Sequence, residues 1–128
     1  MNTDDDAYTA GICNIGKAEI RRRWIGGWGG GALTAAVWAG LAVTNAAPTW
    51  YWFLALPALG AAMGFVQARS HFCVHYGLRH MFNFSDLGST SRVEDTPAIR
   101  LDRRRSWQLI GSSVSIAFAV AVLGVLTA

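Results

Sequence analysis

Charged side chains leave two long gaps in this chain. From Trp24 to Ala68, and again from Trp107 to Ala128, there is no Asp, Glu, Lys or Arg; all eleven basic and eight acidic residues lie outside these stretches. A hydrocarbon core roughly 30 Å thick takes about 20 residues of helix to cross, so the first gap has room for two spans and the second for one. Backbone groups in lipid find no water, so each crossing has to be helical. The pattern predicts an all-α integral membrane protein with three transmembrane helices, a tight hairpin followed by one C-terminal helix.

The expected organisation is a single membrane domain over 1–128. Its parts are a cytoplasmic N-terminal segment at 1–23, spans at 24–44 and 50–69, a cytoplasmic and interfacial segment at 70–106, and a third span at 107–127. Asn45 to Pro48 supplies the reversal between the first two spans, because proline disfavours helix in the residue before it and can open the next one. Asn14 is expected to cap a short surface helix ending near Arg23. Gly27 and Gly31 on the first span, and Gly60 and Gly64 on the second, are the candidates for close helix packing. In the polar segment, Phe72, Tyr76, Met81, Phe82 and Phe84 dip toward lipid or protein, and Asp86 to Pro97 has the residues of turns. Ser112, Ser113 and Ser115 can bond across helices or back to their own.

The net charge of +3 comes almost wholly from arginine, and its placement sets an orientation. Arg21, Arg22 and Arg23 precede the first gap, Arg69 follows it, and Arg103, Arg104 and Arg105 precede the second. The positive-inside rule makes these flanks cytoplasmic, with the N-terminus in and the C-terminus out across a bacterial inner membrane. Trp24, Trp28 and Trp107 at the inner level, and Trp50, Tyr51 and Trp52 at the outer, join the arginines as interface anchors. Arginines beside apolar spans read as anchors for the lipid bilayer, or as a docking surface for anionic lipid or another subunit, not as a nucleic-acid stripe. The acidic start MNTDDDAYTA carries no secretory signal, so the N-terminus is expected to be retained.

Chemistry is sparse. The two cysteines, Cys13 and Cys73, fall at the two ends of the hairpin and so on one membrane face, where a reducing compartment argues against a structural disulfide. Such a thiol pair can carry persulfide, bind a soft metal or switch redox state, and arginines nearby favour the thiolate; alternatively both are small apolar fillers. His71, Cys73 and His75 alternate, with His80 beyond. On a helix Cys73 points away from the two histidines, so a metal site needs a further ligand, for which Cys13 is the candidate. No ionisable residue falls in mid-span, which argues against a pump, and no P-loop, GxSxG or HExxH motif is present.

The order C-N-I-G-x-x-E-I-x-R-R from Cys13, an apolar hairpin, then G-F-x(6)-F-C-x-x-Y-G-L from Gly64, resembles the YgaP-like transmembrane domain. The matching positions are Asn14, Gly16, Glu19 and Arg22 or Arg23 in the first motif, and Gly64, Phe65, Phe72, Cys73 and Tyr76 in the second. Val74 stands where that family has proline, Ile20 where arginine is common, and a third span is added. The resemblance implies a two-helix hairpin and gives weight to Cys73. Some members of that family carry a rhodanese domain, for which this chain has no room.

Two functions follow. The leading expectation is a non-catalytic accessory or scaffold subunit that packs against itself or other membrane subunits, with no cofactor required. The alternative is thiol-based sulfur or soft-metal handling at the cytoplasmic face through Cys13 and Cys73.

Overall fold

The computed structural model describes residues 8–84 and 90–128; the acidic run Asp4 to Asp6 and the start of the turn-rich segment at Asp86 lie outside these. Among the described residues the fold is all-α apart from one pair of two-residue strands. Helix α1 spans Lys17–Val43. A 3-10 turn at Pro48–Leu54 runs directly into α2 at Ala55–Ser70. A single-turn helix α3, Val74–Leu78, follows, then β1 at Met81–Phe82 paired antiparallel with β2 at Ser91–Arg92. The longest element, α4, covers Thr96–Thr127.

Among the described residues, two helices are long and apolar enough to cross a membrane, Pro48–Ser70 and Thr96–Thr127. Helix α1 is 27 residues long, about 40 Å at 1.5 Å per residue. Its glycine-rich stretch from Gly26 to Gly31 lowers its mean hydropathy. Two boundaries move from those expected. Helix α1 begins at Lys17, continuous through the arginine run, so residues 17–23 are no separate surface helix. Helix α4 begins at Thr96, where Asp95 accepts from the Ala98 N–H and Pro97 occupies the first turn, both strong start signals.

Helix α2 sits between the other two long helices and packs on both. Its contact with α1 is a backbone crossing: a Cβ on Gly64 would lie 2.5 Å from the Gly27 nitrogen, and one on Gly30 would lie 2.7 Å from the Ala61 nitrogen. Phe65 closes the seam from the side, edge-on to both Trp24 and Trp28 at 5.6 and 5.3 Å. Gly31 and Gly60 have no role here, since a Cβ on either meets nothing within 4 Å. The packing register is Gly27 and Gly30 against Ala61 and Gly64, one step from the set expected on α1.

Helix α4 buries Asp102, Ser106, Leu109, Ser113, Ala117, Ala121 and Gly124. The spacing of three and four marks one face, and its small residues let the helices approach closely. A Cβ on Gly124 would collide with Leu54 at 2.5 Å. Tyr51 packs in the same place and is 3% exposed. Its neighbours Trp50 and Trp52 are exposed, as are Trp24, Trp28 and Trp107. The hydroxyls of Ser112, Ser113 and Ser115 each donate to the carbonyl four residues back, on their own helix.

Candidate functional site

The polar residues gather at one end of the helices, where the segment before α1 meets the segment after α2. Asn14 does not cap a helix; the residue before α1 is Gly16, with no side-chain cap. The Asn14 side chain instead accepts from the Cys73 N–H at 2.7 Å and donates to the Cys73 carbonyl at 3.1 Å. Its own N–H donates to the His71 carbonyl at 3.2 Å, and its carbonyl accepts from the Asn83 N–H at 2.9 Å. Side chain and main chain of one buried residue thereby tie three stretches of chain together.

One turn into α1, Glu19 is wholly buried. An unpaired carboxylate there would be very costly. It forms an ion pair with Arg23 one turn on, and also accepts from the Tyr76 hydroxyl at 3.2 Å and the Asn83 amide at 3.3 Å. Burial, then the charge of Glu19, pushes the Tyr76 hydroxyl pKa up from its ordinary value. Arg23 lies 5.8 Å over the Tyr76 ring and sends its second terminal nitrogen to Cys73 Sγ at 2.8 Å. An arginine can only donate, so the sulfur is the acceptor. Of the arginines expected to act on the thiol, Arg23 alone forms this bond among the described residues, and its guanidinium faces Glu19, Tyr76 and Cys73. Arg21, Arg22, Arg69, Arg103 and Arg104 are exposed.

Cys73 forms part of the wall of a cleft of about 520 Å³. Arg22, Arg23 and Gly26 of α1, Gly60, Met63, Gly64 and Gln67 of α2, and Val74, His75 and Leu78 of α3 complete it. Gly60 therefore serves to leave space, not to pack. Gln67 accepts from the Val74 N–H at 2.8 Å and so fixes α3 across the cleft floor. Other depressions are different in kind. A groove of about 450 Å³ lined by Gly31, Thr34, Trp38, Val120 and Thr127 is apolar apart from the Trp38 indole bond to Thr127 at 3.1 Å.

The thiols have separate surroundings. Both are free. Cys13 Sγ donates to the Ile15 carbonyl at 3.7 Å, and burial pushes its pKa up, whereas Cys73 faces Arg23. The expected metal ligands Cys13, His71, Cys73, His75 and His80 do not assemble: among the described residues no three His, Cys, Asp or Glu side chains group closely enough to hold a metal ion. His71 is exposed and closes α2 with a left-handed backbone, φ 54°, and His75 is exposed at the cleft. His80 also has positive φ, 59°, and its buried Nδ1 has no hydrogen-bond partner. Its neighbour is a second buried acid, Asp102, which accepts from the Tyr8 hydroxyl at 2.5 Å and the Gly11 N–H at 2.7 Å.

Sequence reasoning singled out Cys73 but gave no role to Asn83, Asp102 or Tyr8. The available signal was the group of polar residues in the two motifs: Asn14, Glu19, Arg23, Cys73 and Tyr76 all meet in this cluster. No protein-family model, curated protein or solved structure matches the chain.

Proposed function

We propose that this is a three-span membrane protein that handles sulfur or a soft electrophile through Cys73 at its arginine-rich, cytoplasmic face. The observation that carries this reading is the Arg23 guanidinium 2.8 Å from Cys73 Sγ in the wall of an open cleft. The thiolate is the reactive form of cysteine, and a guanidinium against it is a counter-ion. The charge-free lengths of α1, Pro48–Ser70 and α4 and the exposed tryptophans at their ends support insertion of all three helices. The hairpin then has the YgaP-like arrangement that its motifs resemble, with Cys73 as its reactive position and Cys13 held separately against the Ile15 carbonyl.

The scaffold reading has its own support in the buried ties between Asn14 and Cys73, which would hold the chain ends together whether or not the thiol reacts. Labelling separates the two. Cys13→Ser and Cys73→Ser variants in unsealed native membranes are treated with N-ethylmaleimide near neutral pH and followed by intact-protein mass. Although Cys73 is 1% exposed and Cys13 the more open of the two, Cys73 should react at least about tenfold faster, and Arg23→Gln should slow it. A Cys73 no faster than Cys13 leaves the scaffold as the function.

A further inference from the structure

The cleft beside Cys73 has an unequal distribution of charge. Glu19 and Arg23 neutralise each other at its buried end. Arg22, exposed on the same helix, has no ion-pair partner among the described residues, and no carboxylate is among the lining residues. His75 stands opposite on α3, exposed. Arg23 Nε is buried in the same wall without a hydrogen-bond partner. Nothing fills the space in front of these groups, because Gly26 and Gly60 carry no side chain and a Cβ on either would meet no atom within 4 Å. The result is a cleft in which an uncompensated cation and donors face the wall that holds Cys73, itself only 1% exposed.

We infer that the cleft selects anions: the ligand that reaches Cys73 is a small, negatively charged molecule with a soft electrophilic atom, and Arg22 with His75 is the selecting pair. This rests on the thiol reading of the site. A cation-lined concavity with low-dielectric walls concentrates anions and raises their encounter rate by roughly ten- to a thousandfold. Arg22 is a permanent charge, and the His75 ring adds a polar group opposite it. Arg22 thereby acquires a role beyond anchoring, which separates it from Arg21, next to it but not in the cleft wall.

The test uses the full chain carrying Cys13→Ser, in unsealed membranes at low ionic strength. Its labelling is timed with two methanethiosulfonates of similar size, one bearing a sulfonate and the other a trimethylammonium, each rate divided by that for a neutral small thiol. The anionic reagent should label Cys73 about tenfold faster or more. Arg22→Gln and His75→Gln should each reduce that ratio, Arg22→Gln more, whereas Arg21→Gln should leave it unchanged. Arg22 and His75 are exposed, so these variants keep the fold, which is checked by their unaltered unfolding midpoints. Rapid labelling by both reagents with a ratio near one overturns anion selection and leaves the thiol reading intact. An equal fall with Arg21→Gln reduces the effect to general surface charge and also overturns it. If neither reagent labels membranes in the time that labels unfolded protein, the thiol is unreachable, and both the thiol reading and anion selection fail.

Discussion

The side chain of Asn14 bonds both main-chain groups of Cys73, 59 positions away, at 2.7 and 3.1 Å. Replacing it by alanine leaves a buried donor and a buried acceptor without partners, each costing about 1–3 kcal/mol. Asn14→Ala should therefore lose about 2 kcal/mol or more, read from denaturant unfolding in micelles. A midpoint equal to that of the parent would show that this amide does not tie the two segments together.

Helix packing gives a contrast within one helix. A Cβ on Gly64 would stand 2.5 Å from the Gly27 nitrogen and 2.8 Å from the Arg23 carbonyl oxygen, both backbone atoms. Gly64→Ala should cost about 1–3 kcal/mol, the usual range for overpacking. Gly60→Ala, in open space, should stay within about 0.5 kcal/mol. Equal losses at the two positions in thermal unfolding would contradict the register described above.

Alkaline stability should depend on Tyr8. Burial, then its hydrogen bond to Asp102 and the charges of Asp102 and Asp95, raise its pKa above the ordinary value of 10.0. The folded value exceeds the unfolded one, so the neutral hydroxyl's contribution is complete below about pH 10 and is lost as pH rises toward the folded value. Stability should fall above pH 10, and Tyr8→Phe should fall less steeply over that range. Parallel pH profiles for the two proteins would remove Tyr8 from the account.

Orientation is checked by fusion. The proposed arrangement of three crossings with arginines at the inner ends predicts that reporters placed after Asn45 and after Ala128 both register outside. A cytoplasmic signal at Ala128 would eliminate the third crossing, and one at Asn45 would eliminate the hairpin.

Helices were legible in the sequence because the solvent constraint is linear along the chain. A charge-free run of sufficient length can be read without knowing any contact: the run from Trp107 falls in α4, and that from Trp24 covers the rest of α1, the reversal and most of α2. Flanking arginines and tryptophans are local signals of the same kind. Packing register was not legible. Gly27, Gly31, Gly60 and Gly64 have equal local standing, and only the crossing of α1 with α2 puts backbone against Gly64 and the Phe65 ring against Gly27 while leaving Gly31 and Gly60 open.

Roles of polar residues depended on tertiary structure still more. Locally, Arg23 is one of three equivalent arginines, yet the helical phase of α1 turns it toward Glu19 and Cys73 and leaves Arg22 beside the cleft. Asn14 has the features of a cap until the strand-like pairing of Ile15 with Asn83 brings its amide to Cys73. The sequence by itself determined which segments could leave water, since that depends on composition over a window. Which side chains share a site was decided by the fold, because burial of Glu19 forces partners from three separate segments onto one carboxylate.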